Sequence, residues 1–215
     1  MDQHGHIRYR NLPHWEREGA AYFVTFRLAG TLPAAIAEQW RREREHLHMD
    51  EPGSDESRQR ARALHARFDV QLDQGECGPR FLAVPEVAEM LCSAVEYFRD
   101  ERYDLLAYVV MPNHVHLMLR PLFNGATGRV WALDALMHSL KSYSAHRANR
   151  MLRQTGAFWQ REYYDHVIRD DDECAWYADY TLRNPVAARL CDEPEQWPWS
   201  NARAVYGGLN SHSVR

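Results

Sequence analysis

The chain has 215 residues, enough to bury the core of one compact domain and leave room for an insertion. An apolar content of 45% with 12% aromatic residues excludes a disordered chain, and no apolar run reaches the roughly 18 residues of a membrane-spanning helix. The net charge of −4 gives no overall attraction to polyanions. However, the stretch from Ala135 to Arg161 carries Lys141, Arg147, Arg150, Arg153 and Arg161 without one acid, so a locally basic face is expected on an acidic protein.

The first ten residues are polar and His-rich and lack the apolar segment of a signal peptide, which makes a cytoplasmic location the expectation. Tyr22 to Leu28 is aromatic and β-branched and reads as a strand closed by Gly30. Pro33 to about His48 reads as a polar helix with proline at its start, Met49 to Ser57 as a loop, and Arg58 to Phe68 as a second, Arg-rich helix. These two helices form an insertion at about 33–75, expected on the surface with solvated charged faces.

Pro85 to Arg99 is an amphipathic helix with Val87, Leu91, Val95 and Phe98 near helical spacing. Tyr103 to Met111 is an apolar strand, Pro112 and Asn113 a tight turn, and His114 to Arg120 the strand that returns from it. Trp131 to Arg153 is a long helix whose inner stripe is Leu133, Leu136, Met137, Leu140 and Ser144. Glu162 to Arg169 is a strand. Asp170 to Glu173 then opens a helix at its positive dipole end, and Pro185 is expected to end that helix near Asn184. In the tail, about 186–215, Trp197 and Trp199 suggest an aromatic clasp on the core. Cys77, Cys92, Cys174 and Cys191 form no Cys-x-x-Cys pair and read as small buried apolar residues rather than a disulfide framework. The order predicts one α+β domain: a ferredoxin-like β-α-β-β-α-β sandwich with a mainly antiparallel sheet, a further C-terminal helix and the insertion after the first strand.

Two constellations carry chemistry. Residues i and i+2 of a strand share a face, so His114 and His116 project together while Val115, Leu117 and Leu119 face a core. Such a pair is either two half-buried histidines or two ligands to one divalent ion. Tyr180 and Asn184 are i and i+4 on one helix face. They are either a packed tyrosine beside a helix-terminal amide, or an oxygen ligand with a reactive phenol one turn away.

Met111-Pro-Asn-His-Val-His116 resembles the His-hydrophobic-His motif of the single-tyrosine transposases of the IS200-type insertion sequences. Further phrases resemble the REP-associated branch of that family, domesticated transposases linked to repetitive extragenic palindromes in bacterial genomes. They are Leu12-Pro-His-Trp15 with Tyr22 to Arg27, Leu140-Lys-Ser-Tyr143, Phe158 to Arg169, and Tyr180-Thr-Leu-Arg-Asn-Pro185. The resemblance runs from about Leu12 to Trp199, and the insertion is its least typical part. Asn184 departs from the glutamine common in the mobile enzymes but matches the REP-associated branch.

The resemblance implies that His114, His116 and Asn184 bind a divalent ion, Mg²⁺ or Mn²⁺, and that Tyr180 is the nucleophile in cutting single-stranded or hairpin DNA through a 5′-phosphotyrosine link. The working form would be a monomer or a homodimer, with no membrane partner. Tyr177 is the main rival nucleophile, ahead of Tyr143, Tyr163 and Tyr164. Lys141 and Arg147 are candidates for phosphate contacts, and His14 and Trp15 for stacking on an unpaired base. His166 and Arg169 are expected near the site, and Asp165 is a candidate to orient a histidine. Two other readings compete: a hairpin-binding module that has lost strand transfer, and a metal hydrolase in which the histidine pair activates water.

Overall fold

The computed structural model describes residues 6–9, 13–16, 19–49, 54–74 and 78–210, with side chains described over 19–43, 54–74 and 78–207. In chain order, a hairpin of β1 (His6–Tyr9) and β2 (Pro13–Glu16) precedes β3 (Tyr22–Arg27), α1 (Ala34–Met49), α2 (Asp55–Gln74) and α3 (Pro85–Glu96). Then come β4 (Tyr103–Val110), β5 (His114–Pro121), a two-residue hairpin of β6 (Phe123–Asn124) and β7 (Arg129–Val130), and α4 (Leu133–Met151). The chain continues with β8 (Tyr164–Val167), α5 (Asp171–Ala187) and α6 (Ala202–Asn210).

The main sheet has the order β4-β5-β3-β8, and every neighbouring pair is antiparallel. The expected α+β sandwich with an antiparallel sheet is therefore observed. The hairpins β1-β2 and β6-β7 and the helix α6 are additions that the sequence pattern did not reveal.

The pleat sorts the sheet into two faces. Val24 and Phe26 of β3 and Val115, Leu117 and Leu119 of β5 pack with Val87, Leu91 and Val95 of α3 and Leu136 and Met137 of α4. Each such side chain contributes about 1.5–3 kcal/mol through burial. The alternate residues face the other side, where Phe23, Met118 and Ala107 meet Tyr164, Tyr177 and Leu182. Leu32, Phe68 and Leu72 extend that side toward Trp40. Along the outer edge of β4, Val110 donates its N–H to the Trp199 carbonyl at 2.8 Å, and Trp197 Nε1 returns a bond to the Val110 carbonyl at 3.0 Å. The tail thereby covers an otherwise open edge.

Three expectations are corrected. The insertion is more than a solvated surface feature: the charged faces of α1 and α2 are largely exposed or half-buried as expected, but α2 also has a buried face. α2 is longer than predicted and buries Ala61, Leu64, His65, Phe68, Asp69 and Leu72 against the second face of the sheet. α5 does not stop at Asn184 but carries Pro185 inside it and runs to Ala187. Proline in a last turn removes one helical hydrogen bond, while the Asn184 and Pro185 carbonyls still accept from the N–H groups of Ala188 at 2.9 Å and Leu190 at 2.8 Å. Arg189 at φ 58° then turns the chain away. Lastly, Cys92, Cys174 and Cys191 are free, as expected, but only partly buried, and Cys77 lies outside the described residues. Among the described residues no helix is long and apolar enough to cross a membrane.

The start of α5 is fixed by polar contacts. The Asp170 side chain accepts from the Glu173 N–H at 2.8 Å, and the Glu173 carboxylate bonds His166 Nε2 and the Arg169 N–H, each at 2.8 Å. Burial alone would raise the Glu173 pKa, but His166 and Arg169 outweigh it and hold the carboxyl below its ordinary value of 4.5. A depressed carboxyl contributes stability that is present above the ordinary value and is lost as pH falls through the lowered one. Glu173→Gln is expected to cost about 1.5–3 kcal/mol, as for hydrogen bonds to a charged group. Thermal unfolding from pH 7 to pH 3 should show a lower midpoint at pH 7 and a shallower decline below pH 4.5. An unchanged acid limb would mean that Glu173 does not anchor this helix.

Candidate active site

His114 and His116 are both 0% exposed, on the sheet face that α2 and α5 cover. Strand pairing places Thr25 opposite His116 and Arg27 opposite His114. The two rings meet edge to face, with Nε2 to Nε2 at 3.1 Å.

Their outer nitrogens are each held. Asn113 Nδ2 donates to the Leu72 carbonyl at 2.8 Å, and that carbonyl can only accept. The amide orientation is thereby fixed, and Asn113 Oδ1 faces His114 Nδ1 at 2.8 Å as an acceptor. His114 therefore carries its hydrogen on Nδ1 and turns the Nε2 lone pair inward. Burial, followed by the neighbouring His116, lowers the His114 pKa to about 3, so this ring stays neutral. Thr25 Oγ1 lies 2.8 Å from His116 Nδ1 and holds the second ring in place.

α5 brings Tyr180 and Asn184 to this pair. The Tyr180 hydroxyl donates to Asp69 Oδ2, and Asn184 Nδ2 donates to the same oxygen at 3.2 Å. That oxygen is also 3.1 Å from His116 Nε2. The Tyr180 ring stacks on Trp176 at 5.0 Å and meets His116 edge to face at 6.0 Å. Burial and then the Asp69 carboxylate push the Tyr180 phenol well above its ordinary pKa. Asn184 is 3% exposed, and its Oδ1 is buried without a hydrogen-bond partner.

The donor set fits a divalent cation. Two inward Nε2 atoms at 3.1 Å repel unless a proton or a cation lies between them, and a buried amide oxygen without a partner is a further vacant donor. His114, His116 and Asp69 offer ligand atoms that all lie within 4.8 Å of one another.

The four residues expected at the site, His114, His116, Tyr180 and Asn184, are thus brought together. Asp69, Thr25 and Asn113 join them without having been anticipated there. Tyr177 is fully buried with its hydroxyl 3.1 Å from His65 Nδ1, and the Tyr163 hydroxyl donates to Asp134 at 2.7 Å. Tyr164 is buried against Phe23 and Trp40, and Tyr143 is 53% exposed on α4. His166 lies on the site face but bonds Glu173, as does Arg169, while Asp165 pairs with Val24 on the opposite face and cannot orient the histidines.

Lys141 and Arg147 lie on α4, across the sheet from the pair. Lys141 Nζ donates to the Gln160 and Arg161 carbonyls at 2.9 and 2.8 Å, and burial lowers its pKa to about 8. Arg147 is exposed. The side chains of His14 and Trp15, on β2, lie outside the described residues.

Thr25→Val removes the contact that aims the His116 ring. Outer contacts of this kind are worth roughly 10–100-fold in metal affinity. Titration of metal-free protein with Mn²⁺ should show a loss of that order, and unchanged affinity would mean that Thr25 does not position the ligand.

Residues 83–180 match the family model described as IS200-like transposase. A Haemophilus influenzae protein described as a REP-associated tyrosine transposase is 27% identical over 103 residues, covering 46% of this chain and 58% of that one. The REP-associated tyrosine transposase of Escherichia coli strain K12 is 24% identical over 115 residues, covering 50% and 62%. The chain thus spans about three-fifths of the length of each of these relatives. A solved REP-associated tyrosine transposase bound to a REP hairpin has the same fold, with a TM-score of 0.52 at 16% identity over 92% of this chain and 83% of that one.

Proposed function

We propose that this chain, whose residues 83–180 match the IS200-like transposase model and which is similar to REP-associated tyrosine transposases, cuts and rejoins single-stranded DNA near hairpins, with Tyr180 as nucleophile. One observation carries the reading. A phenol, an amide and an imidazole converge on a single buried oxygen, and a second imidazole lies 3.1 Å from the first. Few purposes other than binding a cation beside a nucleophile account for burying that set of groups. The hairpin as substrate follows the solved relative, which is bound to a REP hairpin.

His114, His116 and Asn184 would hold Mg²⁺ or Mn²⁺. When bound, such an ion supplies Lewis acidity, polarising a phosphate oxygen and offsetting the charge that develops in the transition state. The chain's own groups do the rest. Tyr180 Oη attacks phosphorus, the bond from phosphorus to the 3′ oxygen breaks, and the phenol proton and the released electron pair end on a free 3′ hydroxyl. The 5′ phosphate stays on Tyr180 as a diester, so a 3′ hydroxyl can attack it and rejoin strands without a nucleotide cofactor. Thr25 and Asn113 hold the imidazoles, and Trp176 holds the phenol ring.

The test is incubation with a labelled single-stranded hairpin oligonucleotide and Mn²⁺, followed by a denaturing gel. Wild type and Tyr177→Phe should give a protein–DNA adduct that survives boiling in detergent. Tyr180→Phe, His114→Ala and wild type with a chelator should lose it by at least about 10³-fold, as when a nucleophile is removed. Hairpin binding with no adduct in wild type would favour a binding module. Cleavage that persists in Tyr180→Phe but not in His114→Ala would favour a hydrolase.

A further inference from the structure

The carboxylate at the centre of the site comes from the insertion. Asp69 lies on α2 and is 5% exposed. Among the described residues its only ion-pair partner is His116, and its other contacts are the hydroxyl of Tyr180 and the amide of Asn184. A buried carboxylate without an arginine or lysine needs another source of positive charge.

We infer that Asp69 is itself a ligand to the divalent ion, so that the inserted helix α2 supplies part of the metal centre. This inference rests on the metal reading of the histidine pair given above. The distances fit. An octahedral ion with bonds of about 2.1 Å sets adjacent ligand atoms about 3.0 Å apart. The separations from His114 Nε2 to His116 Nε2 and from His116 Nε2 to Asp69 Oδ2 are both 3.1 Å. The chemistry fits as well. Two imidazoles and a neutral amide make a set with no charge, whereas a carboxylate adds a hard anionic oxygen and turns selectivity toward Mg²⁺ and Mn²⁺.

The placement also joins the ion to the nucleophile, because the oxygen that would ligate it is the one that receives the Tyr180 hydroxyl. Leu72, one turn further along α2, accepts from Asn113, which holds His114. One helix thus contacts the His116 imidazole, the phenol and the amide directly and reaches His114 through Asn113.

The experiment uses the full chain, stripped of metal and titrated with Mn²⁺ by calorimetry. Hydrogen exchange of α2 is followed with and without the ion. Wild type, Asp69→Asn and His114→Ala are compared, together with Asp69→Glu in case the asparagine variant folds poorly. Asp69→Asn keeps the size of the side chain and is expected to weaken Mn²⁺ at least about tenfold. Asp69→Glu should recover part of that loss. Added Mn²⁺ should slow exchange in α2 of wild type and not of Asp69→Asn.

Mn²⁺ binding to Asp69→Asn as tight as to wild type or tighter, with His114→Ala defective, would overturn the role of Asp69 alone. It would make the carboxylate an occupant that the ion displaces. His114→Ala binding as tightly as wild type would overturn the metal reading, and this inference with it.

Discussion

A β-strand sends successive side chains to opposite faces, and β5 uses that alternation to separate hydrocarbon from chemistry. Val115, Leu117 and Leu119 enter the core under α3 and α4, while His114 and His116 turn to the face beneath α2 and α5. A slip of one residue would exchange the two sets, placing imidazoles in hydrocarbon and leucines beside Tyr180. The pairing of β5 with both β4 and β3 resists such a slip along its whole length. Because β3 is locked to β5 in the same register, Thr25 falls opposite His116. The sheet therefore delivers the histidines and the group that aims one of them as a single rigid unit.

The second constraint is electrostatic. Six polar side chains, Thr25, Asp69, Asn113, His114, His116 and Asn184, are buried around the same few ångströms. Each would cost free energy without a partner. Their bonds form a chain from the Leu72 carbonyl through Asn113 to His114, and from Thr25 through His116 to Asp69 and on to Tyr180 and Asn184. Such a network fixes donor directions before substrate arrives, which is what an electrostatic site requires. It also makes the site depend on four separate elements, β3, β5, α2 and α5, so that the geometry of the chemistry and the packing of the fold are not separable.

The sequence disclosed the parts whose chemistry follows a strict period. The step of two in His114 and His116 and the step of four from Tyr180 to Asn184 hold in the structure, and each pair lies on one face. It disclosed less where burial is carried by a minority of residues. α2 is dominated by arginine, aspartate and glutamine, and that polar majority reads as a solvated helix. Its buried stripe is Ala61, Leu64, Phe68 and Leu72, spaced three, four and four, with His65 and Asp69 each one position further round. That spacing was the available signal, and a count of charges conceals it.

The same distinction explains Pro185 and the histidine pair. Local propensity argues that a proline ends a helix, but Asn184 and Pro185 are both buried, and packing carried α5 onward by a turn. Propensity is followed at the Asp170 cap, where a side-chain oxygen accepts from the Glu173 N–H at the start of α5. At the site, tertiary contacts decide. Asn113 sits in a turn that its sequence predicts, yet its function is set by the Leu72 carbonyl, 41 residues away, which orients its amide toward His114. A residue whose role depends on so distant a partner leaves no mark in its own neighbourhood, and the same holds for Asp69, 111 residues from the tyrosine it receives.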